Sequence, residues 1–141
     1  MTVVLTKTVP SLVYSAVERE VILSELETFL LEAVAALRGR VTAPTGLPFA
    51  IYHGQVNEST RSRVEVGLAH ADGERELAGG PVVYGFASAG QTDYVSIHQL
   101  YDAIASFIAE QRLRQSGPTR EVYHGSGHLT DEIEVVWPVE A

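Results

Sequence analysis

Glu134 stands in the run Ile133-Glu-Val-Val136, a carboxylate with apolar side chains on both sides. Charged side chains avoid such positions unless something pairs with them. A bound cation would offset the cost of burying the ionised acid. Val64-Glu65-Val66 repeats the pattern near mid-chain. Glu134 and Glu65 are therefore the two candidates for reading a positive charge, the alternative for each being a carboxylate on a solvated sheet face. Four tyrosines, Tyr14, Tyr52, Tyr84 and Tyr123, accompany them. Aromatic walls around a cation contribute ~0.5–2 kcal/mol each through the ring quadrupole; the alternative is core packing with the hydroxyl at the rim. Trp137 is out of phase with Glu134 on a regular strand and is expected on the helix side, unless Pro138 bends the strand into a pocket edge.

Other chemistries find less support. His124 and His128 are four apart, with His53 elsewhere in the chain. Three imidazoles can bind a metal, but this spacing serves a helix, and Gly125 and Gly127 make the segment a loop. No metal is expected. Ser126, Ser88 and the histidines form no nucleophile elbow or triad, and no phosphate loop is written. No cofactor is expected. The absence of cysteine excludes disulfides, thiolate chemistry and Cys-ligated zinc, and fits a reducing compartment. The first residues lack the basic region and apolar run of a signal peptide. No run approaches the ~20 apolar residues that span a bilayer. A cytoplasmic protein is the expectation. Against 18 Asp+Glu there are 10 Lys+Arg, a net charge of −8, which disfavours nucleic acid and attracts cations.

The elements that must position these residues follow from local pattern. Residues 2–8 begin a strand that Pro10 interrupts, and 11–17 continue as extended chain. Ser24-Glu-Leu-Glu27 has the capping-box pattern. Behind it Leu26, Phe29, Leu30, Ala33, Val34 and Leu37 recur at helical spacing, with Gly39 as a C-cap. Residues 41–48 hold Pro44, Gly46 and Pro48 and read as a loop. Strands are expected over 49–53 and 64–69, with a polar, turn-rich segment between them. Residues 70–80 read as a solvated link. The second half repeats the order: a strand over 81–87, a loop around Gly90, and a helix capped by Thr92 or Asp93. Its apolar positions are Ile97, Leu100, Ile104, Phe107 and Ile108, and Ser116-Gly-Pro118 ends it. Two further strands lie within 119–139, joined by a glycine-bearing loop.

The halves match in register. Leu12-Val-Tyr14 answers Val82-Val-Tyr84, Tyr52-His-Gly54 answers Tyr123-His-Gly125, and Val64-Glu-Val66 answers Ile133-Glu-Val135. Each pair lies about half the chain apart. One β-α-β-β unit is written twice, over about 2–70 and 80–139, within a single domain of 141 residues. Such a unit has too little surface to bury to stand alone. Two units can form an α+β fold: an antiparallel sheet with pseudo-twofold symmetry, both helices on one face and a ligand cleft on the other. Strand alternation turns Val64, Val66, Ile133 and Val135 toward the helices, and Glu65 and Glu134 toward the cleft. Gly67 is expected to leave space there.

Taken together, Gly46-Leu-Pro-Phe-Ala-Ile-Tyr-His-Gly54, Val64-Glu-Val66, Gly117-Pro-Thr-Arg-Glu-Val-Tyr123 and Glu134-Val-Val-Trp-Pro-Val139 resemble the GyrI-like small-molecule-binding superfamily. It includes the effector-binding domains of multidrug-sensing MerR- and AraC-type regulators and is built as an SHS2-type tandem repeat. The resemblance covers essentially the whole chain. It implies a domain that senses or sequesters lipophilic, cationic or polycyclic xenobiotics, with Glu134 meeting the ligand's charge and aromatic residues stacking on its body. The residues themselves offer Tyr52, Tyr123, Tyr84, Tyr14, Glu65 and Trp137 as the remaining candidates around it. It implies as an alternative a hydrolase of cyclopropane-type toxins, with Glu134 positioning or deprotonating a water. The chain has no room ahead of Met1 for a helix-turn-helix domain. Direct control of transcription is thus not expected, and the partners would be a small molecule, a separate regulator or a second copy. Ser88-Ala-Gly90 stands where many relatives carry His-x-Gly, so by the resemblance a polar pocket partner is expected to be missing.

Overall fold

The computed structural model describes residues 2–124 and 131–141. Gly125, Ser126, Gly127 and His128, expected from sequence as a loop, lie outside the described residues. In chain order the elements are β1 (Leu5–Val9), β2 (Leu12–Val21), α1 (Leu23–Arg40), β3 (Phe49–Tyr52), β4 (Ser62–Ala69) and β5 (Arg75–Leu77). Then follow β6 (Gly80–Ala87), α2 (Tyr94–Glu110), β7 (Arg114–Gln115), β8 (Thr119–Tyr123) and β9 (Ile133–Glu140). The fold is α+β with antiparallel strand pairing, and the β-α-β-β order occurs twice. The chain divides into two compact units, Ser11–Ala78, and Met1–Pro10 together with Gly79–Ala141. The first ten residues thus belong with the second half.

In the unit Ser11–Ala78, β4 pairs with both β2 and β3, and β5 adds to the start of β2. Val64, Val66 and Leu68 alternate onto one face and are fully buried. Arg19, directly across from Val64, stacks on Phe29 of α1 at 5.0 Å, which identifies this as the helix-covered face. Of the predicted stripe, Phe29, Leu30, Ala33, Val34 and Leu37 are buried and Leu26 is half-buried. Each large side chain so buried stabilises the unit by about 1.5–3 kcal/mol.

Both ends of α1 differ from the sequence expectation. The N-cap is Ile22, not Ser24, and the Glu25 carboxylate accepts from the Ile22 N–H at 3.2 Å. Glu25 thus supplies the reach-back half of a capping box two residues earlier than expected. Gly39 lies inside the helix. The chain leaves at Val41, whose extended backbone buries its side chain while its N–H donates to the Leu37 carbonyl at 2.8 Å. The segment read as a solvated link contains β5.

In the other unit the strand order is β1-β6-β9-β8, again antiparallel, and β7 pairs with the end of β9. A Cβ on Gly85 would come 2.8 Å from Leu100 of α2. That glycine lets the helix approach and marks the helix side of this sheet. Leu100, Ile104 and Ile108 are the buried positions of α2. Asp93 caps it, accepting from the Ser96 N–H at 3.2 Å. The helix stops at Glu110, before Ser116-Gly117-Pro118. Arg112 takes φ 55, donating to Ala109, and Leu113 donates back to Ile108. This is a Schellman stop with arginine where glycine is usual.

Candidate functional site

Alternation along β9 turns Ile133 and Val135 toward α2 and Glu134 away from it. Across the ladder, Glu134 is level with Phe86 on β6 and Val122 on β8. Tyr84 sits two residues from Phe86 on the same face. The edge strand β1 runs beside β6 with Leu5 opposite Tyr84 and Lys7 opposite Val82, so Lys7 shares that face.

These placements converge on the Glu134 carboxylate, whose residue is only 5% exposed. The Lys7 ammonium donates to Oε2 at 2.6 Å and lies 4.1 Å from the centroid of the Tyr84 ring. His124 Nε2 stands 3.0 Å from Oε1, donating when it carries the proton. The Phe86 ring meets Tyr84 at 5.8 Å and His124 at 5.7 Å, both edge to face. Phe86 is 40% exposed and Leu5 43%. A sunken acid is therefore bordered by apolar and aromatic surface that faces water. Chemically it can hold a positive charge and stack an aromatic body. Both of its oxygens are engaged, so it presents a neutralised acid.

The unit Ser11–Ala78 builds a parallel arrangement around Glu65. Tyr14 donates its hydroxyl at 2.5 Å, Arg75 its guanidinium at 2.8 Å, and His53 Nε2 lies at 2.9 Å. The parts correspond: a tyrosine on one strand, a histidine just after a shorter one, a glutamate on the strand that pairs with both, and a base on the edge strand. Burial alone would raise the Glu65 carboxyl, but the bonds from Tyr14, His53 and Arg75 outweigh it and hold the group below the usual carboxylate range. Tyr14 is pushed far up, by its own burial first and then by its bond to Glu65. Arg75 is raised by its bonds to Glu65 and to Glu18, the latter at 3.1 Å.

Gly67, two residues from Glu65, was expected to leave space. The space is filled: a Cβ there would come 2.5 Å from the Phe49 ring and 2.8 Å from the Tyr14 ring. Those rings pack edge to face at 5.2 Å. Tyr14 and Glu65 are thus joined to each other within a packed cluster.

Tyr52 and Tyr123 fall on the helix sides instead, and Trp137 lies there as its strand phase predicts. Tyr52 is level with Val64 and shares its face. Tyr123 is level with Ile133 and donates to Glu121 at 3.2 Å. Tyr101 of α2 donates to the same carboxylate at 2.7 Å. Trp137 packs on Tyr101 with ring centroids 6.1 Å apart, and its buried indole N–H has no partner among the described residues. Strand phase separates Tyr52, Tyr123 and Trp137 from the two glutamates. The residues that sequence reasoning missed are Lys7, Arg75 and Phe86. It weighed His53 and His124 only as metal ligands, whereas each stands against a different carboxylate. Among the described residues no cluster of three or more His, Cys, Asp or Glu is placed to hold a metal. No helix there is long and apolar enough to cross a membrane.

No family model and no curated protein matches the chain. Solved structures do. EcmrR in its DNA complex superposes with TM-score 0.79 at 15% identity over 99% of this chain. The chain spans 57% of that EcmrR chain. The EcmrR C-terminal domain alone matches with TM-score 0.71 at 15% identity, covering 99% of this chain and 98% of that one. SAV2435, solved bound to tetraphenylphosphonium, gives 0.70 at 11% identity over 98% of this chain and 94% of its own. A hydrolase from Listeria innocua gives 0.65 at 11% identity over 97% and 91%. By fold, then, the chain is similar to the EcmrR C-terminal domain and to SAV2435.

Proposed function

We propose that the chain is a small-molecule-binding domain that takes lipophilic cations on the Glu134 face. The observation that carries this is the buried Glu134 carboxylate beside Phe86, with Leu5 across from Tyr84 on the same face, two apolar side chains left facing water. A cation with an aromatic body would meet the acid through charge and Tyr84 and Phe86 through their rings. A neighbour of the same fold, SAV2435, was solved with such a molecule, tetraphenylphosphonium. The role would be sensing or sequestration of xenobiotic compounds, alone or with a regulator or second copy as partner. Of the two glutamates, Glu134 is the ligand's acid in this reading, because Glu65 is already closed by Arg75, Tyr14 and His53.

The hydrolase reading requires Glu134 to take a proton from water beside a tyrosine hydroxyl. The engaged oxygens of Glu134, and a Tyr84 ring that presents its face to Lys7, favour binding instead.

Tetraphenylphosphonium and a panel of cationic dyes test the proposal by thermal shift. At 100 times its Kd a ligand stabilises the folded chain by about 2.7 kcal/mol. The wild type should shift upward and Glu134→Gln should not. No shift with any probe would remove the proposal. Steady turnover of a cyclopropane substrate, lost in Glu134→Gln, would replace it with the hydrolase.

A further inference from the structure

We propose that Lys7 is a built-in competitor for the ligand's charge, so that β1 sets the specificity of the Glu134 site. This rests on Glu134 being the ligand's acid. The Lys7 ammonium makes both contacts a ligand cation would make there: 2.6 Å to the carboxylate and 4.1 Å to the face of the Tyr84 ring. A ligand cation cannot take that place until Lys7 leaves it.

Leaving is easy for this residue. Its side chain is 38% exposed and sits on a flexible four-carbon stem, so the ammonium can turn into water. After it leaves, His124 still engages the other oxygen. The corresponding base in the other unit is built differently. Arg75 bridges Glu65 at 2.8 Å and Glu18 at 3.1 Å with one nitrogen. To free Glu65, Arg75 would have to break two ion pairs. One plan thus gives a locked acid at Glu65 and an openable one at Glu134. A neutral lipophile gains nothing from releasing Lys7, whereas a cation replaces it.

A binding-competent state that is populated only part of the time weakens affinity in proportion. If Lys7 holds Glu134 about nine-tenths of the time, its removal tightens cation binding about tenfold by that proportion. Calorimetric titrations of wild type, Lys7→Met and Lys7→Arg with tetraphenylphosphonium, neutral triphenylphosphine oxide and tetraphenylborate test this. Lys7→Met should bind tetraphenylphosphonium about tenfold tighter and tetraphenylborate more weakly. Lys7→Arg, whose planar fork grips a carboxylate more firmly, should weaken the cation several-fold. The neutral probe should change less than about twofold, having no charge to exchange. The Arg variant keeps the ion pair, so the test survives if the Met variant fails to fold. Equal phosphonium affinity in all three proteins would overturn the role of Lys7 and leave the binding domain standing. Weaker phosphonium binding by Lys7→Met would also overturn it, making Lys7 part of the ligand's wall. No binding of any probe by any protein would overturn both readings.

Discussion

Glu65→Gln exchanges an anion for a neutral amide of the same shape at the centre of the packed cluster. Three donors lose their charged acceptor: Tyr14 at 2.5 Å, Arg75 at 2.8 Å and His53 at 2.9 Å. A hydrogen bond to a charged group is worth about 1.5–3 kcal/mol and a neutral one about 0.5–1.5. The Tyr14 bond counts nearly in full, because Tyr14 is 4% exposed. The Arg75 and His53 side chains, 40% and 22% exposed, are screened and count less. The amide must also turn its NH2 toward one of these donors. Together these losses come to about 2–3 kcal/mol at pH 7. The carboxyl of Glu65 lies below its unfolded value, despite burial, because of those same bonds. The unfolded chain therefore takes up the proton first as pH falls. The stabilisation is complete above the unfolded value of about 4.3 and is lost as pH drops through the folded value. Urea unfolding of both proteins from pH 7 to pH 3 should show a difference that is largest near neutrality and shrinks in acid. A difference below about 0.5 kcal/mol at pH 7, or one that does not vary with pH, would refute the reasoning.

Tyr14→Phe removes one buried bond to a charged group and should cost about 1.5–2 kcal/mol in the same urea titration, less than Glu65→Gln. Gly67→Ala drives a methyl group to 2.5 Å from the Phe49 ring; overpacking should cost about 1–3 kcal/mol, seen as a lowered urea midpoint. Phe86→Ala should barely move that midpoint, because the ring is 40% exposed, yet should weaken tetraphenylphosphonium binding by about two- to thirtyfold, the value of one aromatic wall.

The two glutamates were legible in the sequence because a charge among β-branched neighbours is a local anomaly. Their repeat spacing also pointed to Tyr14, Tyr84, His53 and His124. Lys7 and Arg75 carried no such mark. A base in a short polar strand looks like ordinary surface, and only the pairing of β1 with β6 and of β5 with β2 brings each beside its acid. Repeat equivalence also misled. Tyr52 and Tyr123 match each other in sequence, but strand phase sends both to the helix sides. The histidine that follows each tyrosine is the residue that turns toward a glutamate. Gly67 reads as a gap only when its neighbours are unknown; Phe49 and Tyr14 fill it. The helix stripes were legible from periodicity, while their ends were set by backbone details such as Arg112 at φ 55.

The discontinuity of the unit that holds Glu134 bears on the order of events during synthesis. Within Ser11–Ala78, β2, β3, β4 and β5 pair with one another. β1 must wait for β6, and Lys7 meets a partner 127 positions downstream. On the ribosome, where translation adds about 5–20 residues per second, the segment 11–78 emerges whole while the counter-charge of Glu134 is still idle. Until β6 is made, β1 has no strand to pair with, and an unpaired strand edge is the kind of surface another chain can add to.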